Sequence, residues 1–338
     1  MDSVSQFALG AAVAAAVLGD RTRPWRAVLW GGVVATLPDL DVLIDHGDAV
    51  QNMVRHRAES HALFWLSLAT PPIAFGVAAL HRERDRFGRW LLAIWLALVT
   101  HPLLDAMTIY GTRLLLPFDD TAYGIGSLFV IDPLYTLPLV VGLGGLLLAR
   151  DGRRGRTWNA AGLVLSTLYA GWSLVAQQQA LAIAERSLAA QGIEADAVLA
   201  TPAPLQTVLW RLVAATPDRL YEAHWSLADD DAPLVWTPIE RGAALHAALH
   251  DAPAVAALAA QSRGFWKLWR DGADVLMADV RMGMEPLYVF TFEVGAVHSP
   301  VVAVTPTVLR RQRLDLERGV AWLWPRMWGE RVLPPVPR

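Results

Sequence analysis

Trp90-Leu91-Leu92-Ala93-Ile94-Trp95-Leu96-Ala97-Leu98-Val99-Thr100-His101-Pro102-Leu103-Leu104-Asp105-Ala106-Met107-Thr108 decides how the rest of the chain is read. The run carries almost nothing that water solvates well, and its length suits a hydrocarbon layer ~30 Å thick. Near its end stand a histidine and a carboxylate four residues apart, which a helix puts on one face. Ionisable groups in or at the end of a membrane span are costly and mark function by default. The stretch therefore predicts a membrane helix and a site at one end of it.

Working outward, comparable apolar runs fall near 4–19, 27–45, 61–80, 132–149 and 158–178, and each break between them contains Arg, Pro, Gly or Asp. With 90–108 this makes about six spans. Composition agrees: 338 residues, 54% hydrophobic and 18% charged, are too apolar for an ordinary water-soluble protein. The net charge of −3 and the scattered Arg clusters give no nucleic-acid patch. The chain has no Cys, so disulfides and thiolate ligands are excluded and any metal must be held by His, carboxylates and water. Met1 to Gly19 opens with Asp2 and has no basic residue before its apolar run, unlike a secretory signal, and is read as part of the mature fold.

Basic residues are unevenly shared between the loops. Arg21, Arg23 and Arg26 follow span one, Arg82, Arg84, Arg86 and Arg89 follow span three, and Arg150, Arg153, Arg154 and Arg156 follow span five. The alternate loops hold Arg55, Arg57 and Arg113. The positive-inside rule then puts the loops after spans one, three and five in the cytoplasm, and the N-terminus and everything after span six outside.

Beyond about residue 185 the texture changes. Alternating stretches at Thr207–Leu212, Glu222–Leu227, Phe265–Arg270 and Pro286–Val294 are separated by turn-forming Asp and Gly. An Ala-rich helical stretch covers about 240–261, and a second helix about 308–324. The expected architecture is mainly α: a polytopic helical membrane domain over 1–180, then a soluble α+β extracytoplasmic domain over 185–338.

The ionisable residues of the first half gather at the outer span ends that this topology defines. Span two ends on Pro38-Asp39-Leu40-Asp41, span three begins His56-Arg57-Ala58-Glu59-Ser60-His61, span four ends on His101 and Asp105, and span five begins at Asp132. Imidazole with carboxylate suits a transition metal better than magnesium or calcium, with zinc first and manganese second. His56, His61, His101, Asp105 and Asp39 are the candidate ligands. Asp39 and Asp41 are two apart and cannot share a helix face, so one can ligate while the other orients a His ring or acts as general base. Asp132 is a ligand candidate that is equally well explained as the N-cap of span five. Arg57, Tyr110 and Arg113 are candidates for contacting a phosphate or other anion.

Blander readings stand beside these. A single His-x3-Asp pair is more often a helix-surface or helix-end hydrogen bond than a metal site. Asp45, His46 and Asp48 read as solvated loop, and Arg57 or Arg113 as an exposed charge or a headgroup anchor. Trp25, Trp30, Trp65 and Trp90 lie near span ends, where aromatic belts are expected. Trp210, Trp225, Trp236, Trp266, Trp269, Trp322, Trp324 and Trp328 sit on alternating or helical apolar patterns and are assigned to core packing.

The opening Met1-Asp2-Ser3-Val4-Ser5-Gln6, Leu37-Pro38-Asp39-Leu40-Asp41, His56-Arg57 with Ser60-His61, His101-Pro102-Leu103-Leu104-Asp105, Thr108-Ile109-Tyr110-Gly111-Thr112 and Phe129-Val130-Ile131-Asp132-Pro133-Leu134-Tyr135 together resemble the YdjM-like family of inner-membrane proteins, regarded as metal-dependent hydrolases. The resemblance covers about residues 1–180 and implies metal-ligand roles for the His and Asp residues it contains. Ala58 and Glu59 depart from it, since similar sequences carry Gly and an aromatic residue there. A looser similarity, in the His-x3-Asp pair and the all-helical setting, is to the zinc-dependent phospholipase C group and hints at phosphoester cleavage. The expected protein is a multi-pass enzyme of the bacterial inner membrane that hydrolyses a phosphoester or lipid-linked substrate among membrane lipids. The competing expectation is a scaffold with a structural metal and a partner-binding C-terminal domain; a transporter fits less well, because the ionisable groups sit at one face.

Overall fold

The computed structural model describes residues 1–298, 301–306, 309–310, 316–332 and 334. Its first half is helical: α1 (Ser3–Leu18), α2 (Pro24–Thr36), α3 (Ala49–Arg55), α4 (Leu63–Leu80), α5 (Phe87–Ala106), α6 (Pro133–Leu148) and α7 (Gly152–Ala190). Two compact units are present, one of Met1–Leu43, Arg57–Leu174 and Pro204–Gln206, the other of Ile44–His56, Val175–Ala203 and the chain from Thr207 onward.

In the first unit α1 packs against α2, α5 and α6, and α4 packs against α5. Asp2 caps α1 by accepting from the Val4 and Ser5 amides, and Asp132 caps α6, where Pro133 fills the first turn. Small residues set the helix spacing. A Cβ on Gly31 would lie 2.4 Å from the Gly10 carbonyl oxygen, and one on Gly10 would lie 2.5 Å from that of Gly31, so α1 and α2 cross backbone to backbone. Trp90, assigned from sequence to an interfacial belt, is instead fully buried, with its Nε1 donating to Glu83 at 2.9 Å.

Among the described residues, three segments are long and apolar enough to cross a membrane: Leu63–Leu80, Arg84–Ala106 and Gly152–Ala190. Six spans were expected. At ~1.5 Å per residue, the 16 residues of α1 and of α6 and the 13 of α2 reach only about 20–24 Å, short of a ~30 Å core. The run expected over 27–45 is cut at Pro38, where α2 gives way to a 3-10 turn at Pro38–Leu43.

The C-terminal half is β-sheet-rich. Strands β1 (Ala197–Pro202), β2 (Leu209–Ala215), β3 (Arg219–Ser226) and β4 (Thr237–Glu240) form an antiparallel meander. Strands β5 (Trp266–Asp271), β6 (Asp274–Met284), β7 (Leu287–Ala296) and β8 (Val302–Ala303) form a second sheet, with β9 (Leu309–Arg310) also pairing β7. The Ala-rich stretch is two helices, α8 (Ala243–Leu249) and α9 (Pro253–Gln261), because Pro253 starts a new first turn. The last helix, α10, runs Leu316–Met327; of the one expected over about 308–324, residues 309–310 are strand β9 instead, and 308 and 311–315 lie outside the described residues. Ala176, Ala180, Ala184 and Leu188 of α7 are buried with Trp210, Trp225 and Trp236 in the core of this unit. Trp266 and Trp322 are buried as expected, whereas Trp324 and Trp328 are exposed, against the core assignment.

Candidate metal centre

The last turns of α5 bring His101 and Asp105 to one face, both with no exposed surface. The 3-10 turn after α2 contributes Asp39, and a shorter one at Glu59–His61 contributes His61, also fully buried. His61 Nε2 and His101 Nε2 lie 3.0 Å apart. Asp39 Oδ1 is 3.5 Å from each of them, and Asp105 Oδ2 is 3.3 Å from His61 Nε2 and 3.4 Å from His101 Nε2.

These spacings have a physical reading. A carboxylate hydrogen-bonded to an imidazole approaches to about 2.7–2.9 Å, and the nitrogen–oxygen distances here are longer. Four ligands on a regular tetrahedron with bonds of ~2.0–2.1 Å stand about 3.3–3.4 Å from one another. Asp105 Oδ2 is moreover buried with no hydrogen-bond partner among the described residues. The donor set, the four nitrogen–oxygen spacings and the carboxylate oxygen that accepts no hydrogen bond fit a divalent ion between the four atoms, and the group Asp39, His61, His101 and Asp105 could hold one.

The surrounding side chains aim these ligands. Ser60 Oγ lies 2.7 Å from Asp41 Oδ2 and 2.8 Å from His61 Nδ1. A hydroxyl has one proton, and the carboxylate can only accept, so Ser60 donates to Asp41 and accepts from His61 Nδ1–H. That fixes the tautomer in which the His61 Nε2 lone pair faces the group. Gln6 of α1 donates from Nε2 to Asp105 Oδ1 at 2.9 Å and to the His101 carbonyl at 3.2 Å, leaving Oδ2 turned inward. The Met1 amino nitrogen also donates to Asp105 Oδ1.

Arg57 adopts a left-handed backbone, φ 66°, uncommon outside Gly and costing on the order of 1 kcal/mol. Its amide donates to Asp41 Oδ2 at 2.9 Å and its carbonyl accepts from Arg113 N at 3.0 Å, which hold it there. The buried guanidinium puts Nε 3.2 Å from Asp105 Oδ2, donates from Nη1 to Thr108 Oγ1, and lies over the Tyr110 ring at 5.1 Å.

The remaining sequence candidates are placed elsewhere. His56 is the C-terminal cap of α3 and is not one of the four. Asp132 caps α6 and accepts from Tyr169 Oη at 2.9 Å. Arg113 pairs with Asp120 at 2.7 Å. Ser60 and Gln6 were not singled out as functional from the sequence, and only their places in the quoted motifs could have flagged them.

Comparison with curated proteins and with solved structures returns no match. The family model described as YdjM inner membrane protein matches residues 1–180, more than half of the chain and all of the segment that builds the His/Asp group. The chain belongs to the YdjM inner membrane protein family.

Proposed function

We propose that this protein is a metal-dependent hydrolase of the inner membrane, acting at the outer face on a phosphoester or lipid-linked substrate. The observation that carries the reading is the convergence of Asp39, His61, His101 and Asp105, whose ligand atoms all lie within 4.8 Å of one another. A zinc or manganese ion held there supplies Lewis acidity and lowers the proton affinity of water toward neutral pH. Asp39, with 22% of its side chain exposed beside three buried ligands, marks the side from which substrate and water approach. Asp41 spends one oxygen on both Ser60 and the Arg57 amide, which favours orientation of His61 over a general-base role. Arg57 offers positive charge beside Asp105, where it offsets one carboxylate and favours an anionic substrate group.

The basic loops before α2, between α4 and α5, and before α7 support a multi-pass topology with those loops cytoplasmic and the C-terminal domain outside. On this reading the short helices cross by thinning the bilayer locally.

One observation favours the scaffold alternative: the group supplies four protein ligands, the number that closes a structural zinc site. Elemental analysis of detergent-purified protein beside His101→Ala and Asp105→Ala tests the common premise. Stoichiometric zinc or manganese in wild type and its loss in both variants is the expected result; a metal-free wild type prepared without chelator would end both readings. Metal-loaded protein that cleaves bis-p-nitrophenyl phosphate, with the activity lost in Asp39→Ala, separates hydrolase from scaffold.

A further inference from the structure

The far end of the chain carries an apolar face that its own fold leaves open. One side of α10 is packed: Trp322 is buried with Ala203 and Leu209, and Met327 and Leu323 lie against the same cluster. That side is pinned by polar contacts as well. Arg326 donates to both oxygens of Asp229, at 2.6 and 2.7 Å, and to the His224 carbonyl, and the Met327 carbonyl accepts from Ser226 Oγ. The opposite side presents Val320 and Trp324, continued by Trp328 in the turn just after the helix, respectively 64%, 63% and 59% exposed. The two indoles meet edge to face with centroids 5.9 Å apart, so they stand as a fixed ridge.

We infer that the Val320–Trp324–Trp328 ridge, on α10 and the turn that follows it, seats in the headgroup layer of a phospholipid bilayer. Three observations select lipid as the occupant. The chain belongs to an inner-membrane family and has three helices long and apolar enough to cross, so this unit is tethered to a bilayer by its own chain. The face is made of tryptophan and valine on a helix whose other side is packed into the unit and pinned by Arg326, so the ridge is held outward, and tryptophan prefers the headgroup level. The sequence entering the helix is basic, with Arg310, Arg311 and Arg313, which complements anionic headgroups. The inference does not depend on the metal centre.

The absence of Cys makes the test direct in the full chain. Trp324→Cys, Trp328→Cys and Val320→Cys, each labelled with the fluorophore NBD, are reconstituted into vesicles of phosphatidylethanolamine and phosphatidylglycerol. Asp231→Cys, on an exposed turn of the same unit, sets the aqueous limit. Doxyl-labelled lipid is expected to quench the three ridge positions several-fold more than position 231, and aqueous iodide is expected to do the reverse. Iodide quenching of the ridge at the level of position 231 would overturn the inference by showing the face in water. Protection from both quenchers would overturn it by showing a protein, or a second copy, on the face. All three substitutions are at exposed positions, and agreement of any two suffices if one variant fails to fold.

Discussion

Ser60 has a single hydroxyl proton, and its placement determines which nitrogen of His61 faces the metal group. Ser60→Ala is therefore expected to weaken metal binding by about 10–100-fold, the usual cost of losing an outer-shell partner, read by competition with a chromophoric chelator. Ser60→Thr, which keeps the hydroxyl, should restore most of it. In the second unit His224 lies between Trp322, at 5.0 Å between ring centroids, and the buried Arg211–Glu222 pair. Burial brings its pKa down from 6.5 to about 4, with Arg211 and Arg326 adding to this and Glu222 opposing it. The folded state thus binds fewer protons than the unfolded one between those values. Its contribution is complete above pH 6.5 and is lost as pH falls toward 4, a cost on the order of 3 kcal/mol. His224→Phe keeps the ring and removes the titration, so the acid-side fall in the denaturation midpoint should flatten in that variant. At this scale the sequence was legible where spacing is local. His101 and Asp105 announce themselves as i and i+4, whereas Gln6 meets Asp105 across 99 residues and carries no charge to draw notice. His56 and His61 look alike in sequence, and only the folded turn separates the one that joins the group from the one that caps α3.

The helices of the first half are held by what their sequences omit. Gly31→Leu would drive a side chain into the Gly10 carbonyl and Ala14, and is expected to destabilise the helical unit by about 1–3 kcal/mol or more, seen as a lowered thermal midpoint in detergent. Gly76→Leu, which meets nothing within 4 Å, should be near neutral and serves as the control. Apolar runs revealed where helices lie but overstated their length, because hydropathy does not stop at Pro38 while the backbone does. The break between α8 and α9 was hidden for the opposite reason: alanine periodicity continues on both sides of Pro253. The sheets were partly legible, since the stretches read as strands overlap β2, β3, β5 and β7, and β5 alternates buried with part-exposed residues. Strand β6 did not stand out, because Val275 to Val280 is buried on both faces and lacks alternation.

For the whole molecule, the number of crossings fixes which compartment the β-rich unit occupies. From residue 85, passage through α5 and α7 alone returns the chain to the starting side; adding α6 takes it to the other. On the proposed topology, which keeps the eleven Arg residues of the three basic loops on one side, α6 crosses as well. Reporter fusions at residue 85 and after Arg338 are therefore expected on opposite sides of the membrane, and finding both in the cytoplasm would make α6 a non-crossing helix.

Helix α7 continues for 39 residues without a break, and its later turns supply Ala176, Ala180 and Ala184, none with any exposed surface, to the core around Trp210 and Trp236. A fragment cut at residue 185 would leave those tryptophans facing solvent where a helix belongs. Recombinant pieces of this half should accordingly aggregate when they begin at 185 and stay dispersed when they begin near 175, a difference that gel filtration would read at once.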